Sequence, residues 1–230
     1  MTDVRSLQRT LLASDVRDAL ALAAAIGLVG VSFGALAAAA GVPPVLTVAL
    51  SVLVFAGGSQ FLLVAVIAGG GSPVAAVIGG LLLNARVLPY GLAMGPVIAD
   101  RWPMRLLGAH LIIDESVAFS RARPTPERAR QGFWLSSIVL FVVWNLCAAL
   151  GMVVGAAVPD PNVFGVDAAF PAALAALLLP SLGRSDSARV GLVAAVAALA
   201  ATPFLPAGMP VLVGLLGLLA AGRPDAEETS

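Results

Sequence analysis

Residues 19–40 read ALALAAAIGLVGVSFGALAAAA, an apolar run of 22 residues that contains no charge and no proline. One helical crossing of a bilayer core needs about 20 such residues. A signal-peptide core is only about 7–15 residues long, so we interpret this run as a first membrane span. We keep this interpretation although Arg5, Arg9 and Arg17 precede the run.

The rest of the chain has the same apolar character. Hydrophobic residues make up 60% of it and charged residues 11%, whereas a soluble domain is about half apolar and a quarter charged. No charge occurs between Asp18 and Arg86, over 67 residues. Such runs are too long and too continuous for the alternating strands of a barrel. We therefore expect an all-α, polytopic helical bundle with seven or eight membrane helices, some of them broken.

Glycine and proline mark the expected ends of these helices. We expect an N-terminal segment at 1–18, a transmembrane transport domain at 19–222 and a C-terminal tail at 223–230. The expected spans are 19–40, 45–68, 74–98, 132–158, 168–182, 190–204 and 207–221, with a weaker segment at 104–120.

Arginine placement predicts the orientation. Arginines precede the first span and are most frequent at 121–130, whereas the loops at 41–44, 159–167 and 205–206 contain none. The positive-inside rule then places both termini in the cytoplasm. An even number of crossings must precede Arg121, so either segment 104–120 crosses or an earlier segment is re-entrant.

Two Gly-x-x-x-Gly motifs indicate either an internal repeat or close helix packing. Gly30 and Gly34 precede one new span, and Gly151 and Gly155 precede another. Duplicated halves are common in secondary transporters. Small residues at this spacing also let membrane helices approach closely, so both interpretations remain open.

Arg86 follows Asn84 in the middle of the expected span 74–98. An arginine near the bilayer centre costs about 2.5–3.5 kcal/mol on insertion scales, so it is retained where it faces a partner or a wet cavity. Two interpretations remain open. Arg86 either binds a carboxylate or balances charge in a transport pathway, or it forms a structural ion pair with Asp114 or Glu115.

His110, Asp114 and Glu115 form a second polar cluster, within segment 104–120. If this segment is one helix, His110 and Asp114 share a face because they are four residues apart. A histidine and carboxylates at membrane depth are suited to proton coupling or gating. The alternative is an interfacial helix whose charges meet water.

The sequence FAGGSQF at 55–61 is the third polar feature. Adjacent glycines weaken a helix by about 1 kcal/mol each relative to alanine. Broken helices expose backbone groups that bind substrate in many transporters, although close helix packing is an alternative. The substrate-binding residues that we expect are Ser32, Phe33, Gly57, Gly58, Ser59, Gln60, Asn84 and Arg86.

Composition limits the remaining functional classes. The net charge is zero, so no nucleic-acid partner is indicated. The single Cys147 cannot form an internal disulfide, and one histidine without a neighbouring cysteine does not suggest a metal site. The chain contains no phosphate loop and no His-Glu-x-x-His motif. We therefore expect neither an enzyme nor a cofactor.

Taken together, these residues resemble the AzlC family of branched-chain amino-acid permeases. The resemblance covers most of the chain and rests on GVSFG at 30–34, FAGGSQF at 55–61, LNAR at 83–86, YG at 90–91, DES at 114–116 and the segment 159–167. The family often has histidine directly after the arginine, where this chain has Val87. A proton role at that position therefore cannot be carried over.

The resemblance implies a secondary transporter in the bacterial inner membrane. It implies export of valine, leucine and isoleucine, with methionine as a further candidate, driven by the proton motive force. It also implies a small, hydrophobic AzlD-type membrane subunit as partner. The alternatives are a passive ion channel with a similar number of helices and a membrane assembly subunit that transports nothing.

Overall fold

Long runs of alanine, leucine and valine without internal charge favour helices in an apolar solvent. The computed structural model describes residues 4–85, 87–157, 185–205, 210 and 213–220, and no strand occurs within those ranges. The all-α prediction is confirmed there. The expected span 168–182 lies outside the described residues, and 207–221 is described only in part.

The helices are α1 (Val4–Ala39), α2 (Pro44–Ala49), α3 (Gly57–Ala68), α4 (Pro73–Asn84), α5 (Val87–Ile98), α6 (Trp102–His110), α7 (Asp114–Arg121), α8 (Pro126–Ala157) and α9 (Ser185–Ala201). A π-helical turn, Leu50–Val54, continues α2, and a 3₁₀ helix spans Gly214–Ala220.

Three segments of the described chain have the length and composition to cross a membrane. Two are single helices, Ala13–Ala39 of α1 and the whole of α8. The third is the pair α4 and α5, which are bent by 46° relative to each other. The predicted span 74–98 is therefore interrupted, and the predicted total of seven or eight spans is not confirmed within the described residues.

The Gly-x-x-x-Gly motifs bring α1 and α8 into backbone contact. A Cβ on Gly34 would lie 2.0 Å from the carbonyl oxygen of Ala148, and a Cβ on Gly151 would lie 2.0 Å from that of Val31. The interpretation as helix packing is confirmed, and the internal repeat stays a prediction. Because Val31 faces Gly151 and Ala35 faces Gly155, the two helices run in the same direction.

An ion-pair cluster marks the end of the molecule at which α1 and α8 begin. Asp15 of α1 is buried, with Arg123 at 2.9 Å and Arg128 as a second, hydrogen-bonded partner. We call this the basic end and the other the opposite end. Since α1 leaves the basic end and α8 starts from it, the chain between them must return there. The even number of crossings expected before Arg121 agrees with this arrangement.

The segment from α2 to α3 forms a hairpin that enters and leaves at the opposite end. The Gln60 side chain of α3 donates a hydrogen bond to the carbonyl oxygen of Leu50 at 2.9 Å, so α3 turns back beside the π-helical turn. Phe61 then packs against Phe33 of α1, with ring centroids 5.7 Å apart. We call this the first hairpin; its tip is Phe55–Ala56.

The pair α4 and α5 carries the chain back to the basic end. Ser59 Oγ donates to the carbonyl oxygen of Gly80 at 3.0 Å, which places α4 antiparallel to α3. At the far end of α5, the carbonyl oxygen of Ile98 accepts from Trp134 Nε1 at 3.0 Å, near the start of α8. Because α4 and α5 bend only moderately, α4 starts, and α3 ends, at the opposite end.

A second hairpin, α6 and α7, enters and leaves at the basic end. Arg105 of α6 donates to the carbonyl oxygen of Ala99 at 2.8 Å. At the end of α7, Ser120 Oγ donates to the carbonyl oxygen of Ala129 of α8 at 2.8 Å. The tip between them, Leu111–Ile113, is non-helical and largely buried.

Two expectations are therefore corrected. Segment 45–68, taken as a span, turns back at Phe55, and segment 104–120 is two short helices rather than one. His110 and Asp114 consequently do not share a helix face, since the tip Leu111–Ile113 separates them. Hydropathy measures the length of an apolar run and does not detect a reversal of direction within it.

Candidate functional site

The tip of the first hairpin is a sharp break in the helix. Phe55 has φ 41° and ψ 48°, and Ala56 is extended with φ −139° and ψ 90°. A left-handed conformation is strained for a residue with a Cβ, and such strain collects at functional sites. We expected a helix broken at its glycines. The break lies just before them, so that Gly57 and Gly58 form the first turn of α3.

This break creates a new helix start at Gly57. The first amides of an α-helix, here those of Gly57, Gly58 and Ser59, have no partner within the helix. Ala56 precedes them and offers no side-chain cap, while the amide of Gln60 donates to the carbonyl oxygen of Ala56 at 3.0 Å. Amides and the helix dipole together favour an anion at such a terminus.

Gln60 is fully buried beneath this terminus, and both ends of its amide are bonded within the protein. Its Nε2 donates to the carbonyl oxygen of Leu50 at 2.9 Å, and its Oε1 accepts from Trp144 Nε1 at 3.1 Å. The Trp144 ring also lies beside Gly57, where a Cβ would be 3.1 Å from Trp144 Cη2.

Aromatic side chains surround the break. Phe33 stacks on Trp144 with centroids 5.9 Å apart, and Phe55 meets Phe141 edge to face at 4.9 Å. Phe33, Phe55 and Trp144 are buried. Ser32 is directed back to its own helix, since its Oγ donates to the carbonyl oxygen of Leu28. The surroundings of the break are therefore apolar, as an aliphatic ligand requires.

His110 joins the two hairpins. Its Nε2 lies 2.9 Å from the carbonyl oxygen of Val52 in the π-helical turn, and its ring meets Phe141 with centroids 5.9 Å apart. Phe141 lies near the middle of α8, between Pro126 and Ala157. The tips of the two hairpins thus meet about halfway between the basic end and the opposite end.

The acidic pair occupies the first turn of α7. Asp114 and Glu115 are half-buried, and Ser116 Oγ accepts from the amide of Ile113 at 3.1 Å. Arg86 lies outside the described residues, so its ion pair stays a prediction. Its neighbour Val87 packs against the buried cluster that contains Ile112 and Val117, beside that turn. Asn84 ends α4 and is half-buried, and no hydrogen bond described for the site includes it.

Sequence reasoning did not identify three parts of this site. Trp144, the π-helical turn and the His110–Val52 contact were not among the expected substrate residues. A tryptophan in a long apolar helix was a usable signal for the first, because its N–H needs a partner when buried. Ser51 is also buried, and its hydroxyl makes no hydrogen bond in the part of the chain that the structure describes.

Comparison with known proteins identifies one family. The family model described as AzlC protein matches residues 21–158. Over 204 residues this chain is 24% identical to the branched-chain amino acid transport protein AzlC of Bacillus subtilis (strain 168). The aligned region covers 86% of this chain and 80% of that protein. No solved structure matches. The family match includes both hairpins and the paired helix α8.

Proposed function

We propose that this chain, which belongs to the AzlC family, transports branched-chain amino acids such as valine, leucine and isoleucine across the bacterial inner membrane. The substrate class rests on the relative from Bacillus subtilis, whose name is that of a branched-chain amino acid transport protein. The AzlC family is a family of transport proteins and not of enzymes.

The observation that supports the site is the uncapped start of α3 at the meeting point of the two hairpins. Broken helices and half-length hairpins at mid-depth are a recurrent way for transporters to present backbone groups to a solute. Here one hairpin comes from each end of the molecule, and the hairpins touch beside their tips, through His110 and Val52. Separation of the tips on one side opens a path from that side only.

The chemistry of the break is suited to a zwitterion with an aliphatic side chain. The amides of Gly57, Gly58 and Ser59 bind the carboxylate, with Arg86, which lies between α4 and α5 in the sequence, as a cationic partner. Carbonyl oxygens at the end of the π-helical turn bind the ammonium group. The surrounding phenylalanines bind the aliphatic part once the tips separate.

In this proposal the two hairpins are re-entrant, and the basic end faces the cytoplasm. Both termini are then cytoplasmic, and net transport is outward. The proton motive force is the energy source, with His110, Asp114 and Glu115 as the groups for proton coupling or gating. A small AzlD-type membrane subunit is the proposed partner.

Efflux of isotope-labelled leucine and valine tests the proposal. Cells are preloaded, and release is compared with and without this chain, each time with the small partner subunit present. We expect faster release in the presence of the chain. Equal release in both strains would overturn the proposed function.

Arg86→Ala separates the two interpretations of Arg86. We expect it to abolish efflux while the protein still inserts into the membrane at normal abundance. Loss of folded protein would favour the structural ion pair with Asp114 or Glu115. Normal efflux would remove Arg86 from the site.

A further inference from the structure

We propose that Gln60 is a positioning residue and not a substrate ligand: with Trp144 it holds the helix break in the conformation that presents the α3 amides. This inference rests on the proposed function for its transport readout, but its structural part can be tested without transport. It reassigns a side chain that the sequence alone suggests as a direct ligand.

The first step concerns the accessibility of Gln60. Its side chain is 0% exposed, and its amide bonds Leu50 on one side and Trp144 on the other. A buried amide that loses such partners is left with unsatisfied groups, which is costly in an apolar surrounding. A substrate that replaced these partners would have to compensate for both bonds before it gained affinity.

The second step concerns what the bonds hold in place. The carbonyl oxygen of Leu50 also accepts from the amide of Phe55 at 3.4 Å, which closes the π-helical turn. Gln60 therefore fixes the carbonyl on which the left-handed conformation of Phe55 depends. Phe55 in turn sets the direction in which α3 begins.

The third step concerns Trp144, through which the helix break contacts α8. Trp144 belongs to α8, which is joined to α1 by backbone-close packing at Gly34 and Gly151. The same indole packs on Gly57 and stacks on Phe33. The hydrogen bonds from Trp144 through Gln60 to Leu50, which we call the relay, thus connect the helix break to α8, which packs closely against α1.

The relay also explains why this residue is glutamine. The position needs one acceptor for the indole N–H and one donor for the Leu50 carbonyl, which a primary amide supplies together. An ionised glutamate only accepts, and methionine offers neither group with comparable strength. Gln60→Met therefore removes the relay while nearly preserving the side-chain volume.

Fluorescence tests the relay independently of transport. The chain has three tryptophans, so Trp102→Phe with Trp134→Phe leaves Trp144 as the single emitter. In that background we expect Gln60→Met to shift the emission maximum of Trp144, because the indole loses its acceptor. The control Gln131→Met, at an exposed position of α8, leaves emission unchanged. An unchanged emission in Gln60→Met would overturn the relay.

Transport kinetics then separate positioning from direct contact. We expect Trp144→Phe to raise the KM for leucine about tenfold, the effect of one lost hydrogen bond, and Gln60→Met, which loses two, to raise it at least as much. Turnover per inserted protein changes little. The double variant should match Gln60→Met, because that single variant already removes both hydrogen bonds of the relay.

Two results would overturn the inference. One is a double variant whose KM rises by the product of the two single effects, and the other is a Trp144→Phe variant with a normal KM. If the unmodified chain moves no leucine, the proposed function fails, and the emission measurement alone decides the relay. If Gln60→Met does not fold, Trp144→Phe still decides it, because the phenyl ring preserves the packing on Phe33.

Discussion

Gly34 and Gly151 show how single atoms determine the packing of α1 and α8. At each position a Cβ would lie 2.0 Å from a carbonyl oxygen of the facing helix, and the backbones themselves would have to separate to accept it. The motifs themselves could be predicted from spacing. Their pairing with each other could not, because more than a hundred residues separate them and either motif suits many small-residue faces.

Gly34→Ala is expected to lower the free energy of unfolding by roughly 3 kcal/mol, the upper part of the range for overpacking. Thermal unfolding of purified protein in detergent measures it. The control is Gly95→Ala in α5, where no atom of the described residues lies within 4 Å of the added Cβ. Equal stability of both variants would contradict backbone contact between α1 and α8.

Asp15→Asn tests the ion-pair cluster at the basic end. Asp15 is 4% exposed and pairs with two arginines, so its neutralisation removes a buried carboxylate from beside Arg123 and Arg128. We expect the free energy of unfolding to fall by about 3–5 kcal/mol. Asp18→Asn is the matched control, because its pair with Arg17 is solvent-exposed and contributes about 1 kcal/mol or less. Denaturant-induced unfolding of both variants measures the two changes in the free energy of unfolding.

At the scale of the helices, composition located the apolar segments but did not predict the direction in which each one runs. The apolar runs at 45–68 and 104–120 were recognised from composition, but the first reverses at Phe55 and the second at Leu111–Ile113. A run of 24 residues fits one crossing as well as two half-crossings, so hydropathy cannot distinguish them. The glycine pair predicted a broken helix, and tertiary contacts of Gln60 and Trp144 determine which way the chain continues.

His110→Phe tests the link between the hairpins. The substitution keeps an aromatic ring beside Phe141 but removes the nitrogen that contacts the Val52 carbonyl. We expect the free energy of unfolding to fall by about 1 kcal/mol, and we expect faster hydrogen exchange at the amide of Phe55. Ser72→Ala, which removes the N-cap of α4 at the opposite end, should leave exchange at Phe55 unchanged. Slow exchange in both variants would contradict a link between the tips.

At the scale of the whole molecule, the arrangement has two ends and a shared middle. One hairpin arises from each end, α1 and α8 run parallel between the ends, and the ion pairs of Asp15 mark one of them. Arginine placement predicted the even number of crossings before Arg121. It could not indicate which segments turn back within the molecule, since both solutions satisfy the same count.

Cysteine accessibility tests this topology in whole cells. In a Cys147→Ala background, a cysteine at position 125 lies at the basic end and one at position 72 at the opposite end. We expect a membrane-impermeant maleimide added from outside to label position 72 and not position 125. Strong labelling at position 125, or labelling of both positions, would contradict the arrangement.

Ligand-dependent thermal stability tests the central claim most directly, that the chain recognises a branched-chain amino acid through its carboxylate. Purified protein is heated with leucine and, in parallel, with leucine amide, which keeps the side chain and the amino group but lacks the carboxylate. At about 100 times its Kd, leucine should stabilise the folded state by about 2.7 kcal/mol, and leucine amide should stabilise it far less. Equal stabilisation by both compounds, or none by leucine, would contradict the claim.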